Sequence, residues 1–287
     1  MPFVDGDPQP RILLSGETAG TGASTSARHL SEMLELPIIS GGRFFRALAN
    51  RFERFQEERT DLSVDEAYQQ FLLLYQQSFD SAGLDGVMKL LYPGIEQGAD
   101  GVVLARFQGV LKAQAEHTGT ADPLWDYIVD QNTIVDALNK PGFVWESKLA
   151  ILVLQFDELQ PVILQQPAFA LPYMNVLLQL SPEIAAQRVG QREQRQVDVS
   201  EVMTRKQRDF NRYGEIYHIQ GKPVEHSDLA KAADTIIDTE LLSPPEVAAK
   251  VVRNYLRKIQ VTGFSRAAFA QPAVQLMESA LTQVEET

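Results

Sequence analysis

The chain contains no cysteine. Disulfides and thiolate metal sites are therefore excluded. It also lacks any run of about 18 apolar residues, the length a membrane-spanning helix requires. Histidine is scarce, and His29, His117, His218 and His226 show no metal-ligand spacing. Basic residues fall short of acidic ones, 26 against 38, for a net charge of −12. That balance argues against a general binder of nucleic-acid polymers, which carries a basic face. The opening residues, Met1-Pro-Phe-Val-Asp-Gly-Asp-Pro8, lack the basic and apolar parts of a signal peptide, so a cytoplasmic protein without a membrane partner is expected. What is present is ordinary: 44% hydrophobic and 22% charged residues over 287 positions, enough for one large domain or two small ones.

The most informative stretch is Arg11-Ile-Leu-Leu-Ser-Gly-Glu-Thr-Ala-Gly-Thr-Gly-Ala-Ser-Thr-Ser26. An apolar run, Ile12 to Leu14, enters a Gly- and Thr-rich turn, and a helix is expected from about Ser24. Strand, glycine loop and helix is the layout of a phosphate-binding loop, whose backbone N–H groups converge on an anion beside the positive end of the helix. Against the pattern G-x-x-x-x-G-K-[ST], Gly22 stands for the second glycine and Ser24 for the Mg²⁺-binding hydroxyl. Glu17 replaces the first glycine and Ala23 replaces the lysine. The alternative at this point is a plain strand-to-helix turn without a ligand.

Further along, strands alternate with helices. Leu36–Ser40 reads as a second buried strand ending in a turn at Gly41-Gly-Arg-Phe-Phe-Arg46, with a helix through Leu48 and Phe52. Asp61-Leu-Ser63 caps a helix containing Tyr68, Phe71, Leu74 and Tyr75. Glycine-punctuated residues 81–121 predict helical pieces and loops, with Val110 to Glu116 one candidate helix. Apolar residues from Leu124 to Leu138 recur at helical spacing. Phe143–Lys148 is a strand closing on Glu146-Ser-Lys148, Ala150–Phe156 a buried helix or edge segment, and Tyr173–Leu180 a central strand. Ser181-Pro182 opens a helix, another starts near Ser200, Asp234–Asp238 is a last strand, and a final helix runs to about Lys258. Residues 1–10 read as a loose arm. Alternation of this kind predicts a parallel sheet covered on both faces, with ligands at the carboxyl ends of the strands. The turns at 16–25, 41–46 and 146–148 all lie at such ends.

Between Arg188 and Arg212 stand six arginines and one lysine. They form either a solvated basic helix pair or a lid that offers guanidinium groups to a transferring phosphoryl group and excludes water. A dinucleotide site built on Gly20-x-Gly22 is the weaker alternative, because no acid closes the second strand to hold a ribose.

The stretch Arg205-Lys-Gln-Arg-Asp209-Phe-Asn-Arg212-Tyr213-Gly-Glu-Ile-Tyr217, then Asp234-Thr-Ile-Ile-Asp238-Thr and Leu242-Ser-Pro-Pro-Glu246-Val, resembles the cytidylate kinase family, in particular its compact archaeal-type branch. Ile39-Ser-Gly-Gly-Arg-Phe-Phe-Arg46 is similar to the family's I-S-A-G-D-x-F-R, and Phe143-Val-Trp-Glu-Ser-Lys-Leu-Ala150 to V-V-L-E-G-R-L-A. The resemblance covers 11–60, 122–155 and 173–256. It implies an α/β P-loop NTPase fold of three α/β/α layers around a five-stranded parallel sheet, with a helical acceptor-binding part and a lid. Residues 1–258 would form the kinase-like domain, with a helical insertion at about 60–140 and a lid at about 188–215. Residues 259–287 would be an amphipathic tail, packed back or used for self-association.

The implied activity is transfer of the γ-phosphoryl group of ATP, with Mg²⁺, to a nucleoside monophosphate, CMP or dCMP. By position, Gly20, Thr21, Gly22, Ala23, Ser24 and Thr25 would hold the donor phosphates, with Ser24 on the metal. Arg43, Arg46 and Lys148 would hold the acceptor. Arg188, Arg192, Arg205 and Arg212 would be lid residues, with Asp209 contacting the acceptor or ordering the arginines. The chain departs from the family at Ala23, Arg43, Ser147-Lys148 and Lys206. Arg43 is one candidate for the charge that Ala23 lacks. The alternative is a non-catalytic nucleotide-binding or scaffold protein that keeps the fold.

Overall fold

The structure, a computed structural model, describes residues 9–74, 77, 130, 133–134, 136–137, 140–159 and 173–261. β1 (Arg11–Gly16) leads through the glycine loop into α1 (Ala23–Leu34). β2 (Ile38–Ser40) runs directly into α2 (Gly41–Glu58), and α3 covers 64–74. β3 (Phe143–Glu146) is followed by a single 3₁₀ turn at Val153–Gln155. Then come β4 (Met174–Gln179), α4 (Pro182–Glu193), α5 (Val199–Ile216), the short strands β5 (His218–Ile219) and β6 (Lys222–Pro223), α6 (His226–Ala232), β7 (Thr235–Asp238) and α7 (Pro244–Val261). The chain divides into two compact units, Met1–Ser40 with Asp136–Thr287, and Gly41–Val135. Among the described residues no helix is long and apolar enough to cross a membrane.

In the first unit five strands form one sheet in the order β2-β3-β1-β4-β7, parallel throughout. Its strands are near-continuous apolar runs because both faces are covered. On one face Ile12, Leu14, Val144, Val176, Leu178 and Ile237 meet Ala27, Leu30 and Leu34 of α1 and Val247, Val251, Val252 and Tyr255 of α7. The alternate residues Leu13, Trp145 and Leu177 are buried as well, each at 1% exposure. This is an α/β fold consistent with three α/β/α layers. Each fully buried leucine contributes about 1.5–3 kcal/mol relative to exposure, so α1 is held by its apolar stripe rather than by its ends.

The second unit opens with α2, whose Phe52 and Phe55 pack on Tyr68 and Phe71 of α3, with ring centroids 5.5–5.7 Å apart. Ser63 caps α3 reciprocally. Its Oγ accepts from the Glu66 N–H at 3.3 Å, and the Glu66 carboxylate accepts from the Ser63 N–H at 2.9 Å.

Several expectations need correction. The turn expected at Gly41–Arg46 is helical from its first residue. Ala150–Phe156 is neither a regular helix nor a strand but a buried series of turns with the 3₁₀ segment. Ser181 occupies the N-cap of α4 without a side-chain capping bond. The β5–β6 hairpin and α6 were not anticipated. Of the helix read over 124–138, residues 130, 133, 134, 136 and 137 are helical. The segment 81–121, including the candidate helix 110–116, and the tail beyond Val261 lie outside the described residues, as do Tyr75 and the arm at 1–8.

Candidate functional site

The site begins where β1 ends. The Glu17 N–H donates to the Leu178 carbonyl at 2.9 Å, tying the start of the loop to β4. Thr21 Oγ1 donates back to the Thr18 carbonyl at 3.2 Å. The chain then needs left-handed backbone at Gly20 (φ 91°) and Gly22 (φ 80°), which glycine adopts without a steric penalty. Gly22 is the N-cap of α1, and the Ser26 N–H bonds to its carbonyl at 2.8 Å. No side chain makes a capping bond to this helix and no acid of its own sits in its first turn; the carboxylate at its positive end comes from another element, Glu146, bonded to Ser24. The Thr18 hydroxyl is buried with no partner among the described residues.

Three strand ends or helix starts meet beside the loop. Ser24 Oγ donates to Glu146 Oε1 at 2.6 Å, and Ser40 Oγ donates to Glu146 Oε2 at 2.9 Å. The register sets this up: Ser40 and Glu146 are aligned across β2 and β3, while Leu14 of β1 is aligned with Glu146. One carboxylate thus gathers two hydroxyls at the carboxyl edge of the sheet. Ser24 and Thr25 are exposed. The donors are all hard oxygens, the kind Mg²⁺ prefers. Among the described residues no group of three or more His, Cys, Asp or Glu could hold a metal by itself.

Arg188 of α4 reaches the loop from the other side. Its guanidinium donates to the carbonyls of Gly20 at 3.4 Å, Thr239 at 2.9 Å and Glu240 at 3.1 Å. A cavity of about 330 Å³ opens there, lined by Gly20, Gly22, Ser26, Arg188, Thr239 and Leu242 among others.

Glu17 does not point away from the site unpartnered. Its carboxylate accepts from Lys206 Nζ of α5 at 2.7 Å, and His226 Nε2 lies 3.2 Å from the same oxygen. First His226 and then Lys206 hold the Glu17 carboxyl down at about 2, against the opposing effect of burial.

The remaining basic residues divide. Arg205 donates to Glu193 at 3.0 Å and to Glu201 at 2.8 Å, and Arg195 pairs with the same two carboxylates. These four residues clamp the end of α4 to the start of α5. Arg205, with Arg195 behind it, holds the Glu193 carboxyl down at about 2. Arg192 is exposed, with Glu193 at 3.4 Å. The Arg212 guanidinium stacks on Tyr213, 5.1 Å from the ring centre. Lys148 pairs with Asp209, which is buried in α5. Arg43 and Arg46 fall in the first turns of α2, in the second unit, and their side chains lie outside the described residues.

Of the residues expected at the site, the structure brings Gly20, Thr21, Gly22 and Arg188 to one cavity and Ser24 to Glu146. It joins Lys148 to Asp209, and it commits Arg205 to carboxylates of its own helix pair. Glu146, Ser40, Glu17, Lys206 and His226 were not foreseen in these roles. The signals for Glu146 and Ser40 were that each closes an apolar strand and falls in a stretch that resembles the cytidylate kinase family.

The fold and site together define a class: an α/β protein with a glycine loop at the carboxyl edge of a parallel sheet and a carboxylate on the neighbouring strand. No protein-family model matches the chain, and no curated protein matches it. Among solved structures, it is similar to an uncharacterized protein from Eubacterium ventriosum (14% identity, TM-score 0.41, 86% of this chain and 98% of that one). It is also similar to TT1252 from Thermus thermophilus (16% identity, TM-score 0.38, 88% of this chain and 98% of that one). Likeness at this level carries no argument about function.

Proposed function

We propose that this chain is a P-loop phosphotransferase of the nucleoside monophosphate kinase type, using ATP with Mg²⁺ and accepting CMP or dCMP. The observation that carries this is the Ser24–Glu146 contact beside a glycine loop that opens an uncapped helix. A bare strand-to-helix turn has no reason to aim a hydroxyl and a strand-end carboxylate at one another there.

In this reading the loop amides from Gly20 to Thr25 and the N-terminus of α1 bind the donor phosphates. Ser24 and Glu146 would hold Mg²⁺, whose contribution is to neutralise charge on the phosphate oxygens. Ser40 orients the Glu146 carboxylate. The cavity beside Arg188 has a size suited to the donor nucleoside. Lys148 serves the acceptor, and Asp209 positions its ammonium; the family resemblance assigns Arg43 and Arg46 to the acceptor as well. Arg192 and Arg212 are lid cations, while Arg205 must leave Glu193 and Glu201 to join them. The reading implies a cytoplasmic protein whose partners are small nucleotides, with self-association through 259–287 as a further proposal.

A second reading, nucleotide binding without transfer, is favoured by that same Arg205 pairing and by Ala23 in place of lysine. A coupled assay of ATP consumption across the nucleoside monophosphates, beside MgATP calorimetry, separates the two. Turnover with CMP or dCMP is expected. Binding without turnover would leave the second reading, and absence of both would remove the phosphate-loop assignment.

A further inference from the structure

We propose that Lys206 supplies, from α5, the phosphate-binding ammonium that the loop lacks at residue 23, and that Glu17 docks it there. This rests on the phosphate-loop reading above. In the usual loop the lysine follows the second glycine and reaches the outer phosphates. Here that position is Ala23, so the loop from Gly16 to Thr25 carries no cation, and its one charged residue, Glu17, is negative. A loop of that sign would repel a triphosphate.

The structure shows how that charge is offset. Lys206 Nζ donates to Glu17 Oε1 at 2.7 Å, across 189 positions of sequence. Both side chains are largely buried, at 16% and 17% exposure, so the ammonium is held against the start of the loop rather than in solvent. Ala23 folds back on the residue before Glu17: its Cβ lies 3.5 Å from where a Cβ on Gly16 would sit. On the proposal, a lysine at 23 and the lysine at 206 would serve the same end of the loop. His226 Nε2, 3.2 Å from the same Glu17 oxygen, stays beside that carboxylate when the Lys206 ammonium turns to a phosphate. The two departures in the loop, Glu17 and Ala23, thus have a single explanation. The cation has moved from the loop to α5, and the acid has appeared in the loop to receive it.

Calorimetry with MgATP and with adenosine tests this on the full chain and on Lys206→Met, Glu17→Gln and the Lys206→Met/Ala23→Lys pair. A charge-assisted contact to phosphate is worth about 10- to 100-fold in affinity. Lys206→Met is expected to weaken MgATP by that factor and to leave adenosine unchanged, and adding Ala23→Lys should restore much of the loss. Glu17→Gln should tighten MgATP, because the ammonium is no longer held by a competing anion. If the parent binds MgATP and Lys206→Met binds it equally well, or loses adenosine in proportion, Lys206 is only a strut and the inference is wrong. Weaker MgATP binding by Glu17→Gln overturns it independently, even if the methionine variant does not fold. A parent that binds adenosine but gains nothing from the triphosphate refutes the phosphate-loop reading itself.

Discussion

Gly20 and Gly22 share a left-handed backbone but differ in what surrounds them, and this makes their alanine variants an internal control. At Gly20, an added Cβ would lie 3.1 Å from the Ala185 carbonyl oxygen and 3.4 Å from its Cα. Both are backbone atoms of α4 and cannot swing aside. At Gly22 nothing lies within 4 Å. The left-handed region costs a non-glycine residue about 1–2 kcal/mol, and relief of the Gly20 contact by a shift of α4 adds roughly 1 kcal/mol. Gly20→Ala should therefore lose about 2–3 kcal/mol and Gly22→Ala about 1–2 kcal/mol, a difference of about 1 kcal/mol, on the strain and overpacking costs just given. Ligand binding should rank the other way, since the open space at Gly22 belongs to the cavity and a methyl group would stand where a phosphate approaches. Urea unfolding followed by the fluorescence of Trp145, buried in β3, gives the stabilities in a Trp125→Phe background, and MgATP calorimetry gives the affinities. Equal stability losses, or a larger loss for Gly22→Ala, would refute the claim that α4 presses on the loop. Unchanged MgATP affinity in Gly22→Ala would refute the placement of the ligand.

Glu17 predicts an acid-sensitive step in stability. Its carboxyl drops from 4.5 to about 2 on folding, so its contribution is complete above pH 4.5 and disappears as pH falls toward 2. Between pH 6 and pH 3 it should account for about 2 kcal/mol, measured as the part of the urea-midpoint change that Glu17→Gln abolishes; an identical pH profile in that variant would deny the contact with Lys206 and His226. Glu146→Gln keeps one acceptor and gains a donor for the two serines, so stability should change by less than about 1 kcal/mol. The advantage of MgATP over metal-free ATP in calorimetry should vanish, and its survival would exclude Glu146 from the metal site. Arg205→Ala breaks a half-exposed ion-pair network and should cost about 1 kcal/mol of stability. If α5 is a lid, turnover should fall at least tenfold, and unchanged turnover would reduce Arg205 to a clamp between α4 and α5.

The strands were readable because burial on both faces leaves continuous apolar runs such as Ile12–Leu14 and Val176–Leu178, with few alternatives. The β5–β6 hairpin was not readable, because each strand is two residues long and the turn is Gln220-Gly221. Gln220 adopts φ 53°, a conformation in which asparagine or glycine is the usual signal. Gly41-Gly42 misled for a different reason. Glycine breaks a helix only in its interior; at the first positions it costs little, so α2 starts on it without interruption. Ser24 was visible by its place after Gly22, whereas its partner Glu146 depends on strand register, which no local pattern encodes.

Charge is the property that local reading handles least well. Read by itself, the loop from Gly16 to Thr25 is anionic and unfit for phosphate. Read with Lys206 of α5 it is neutral. The distinction has a mechanical consequence. A lysine inside the loop is always present at the phosphate, but a lysine on α5 is present only when that helix lies against the loop. α5 is also the helix whose first turns are clamped to α4 by Glu193, Glu201, Arg195 and Arg205, and whose Asp209 holds Lys148. On the proposed reading, binding of a polyphosphate at Lys206 would therefore be coupled to the position of every other candidate residue on that helix. A triphosphate that draws Lys206 in also fixes Asp209 and Lys148, so donor and acceptor should bind with positive cooperativity. In a loop that carried its own lysine this route to cooperativity would be absent.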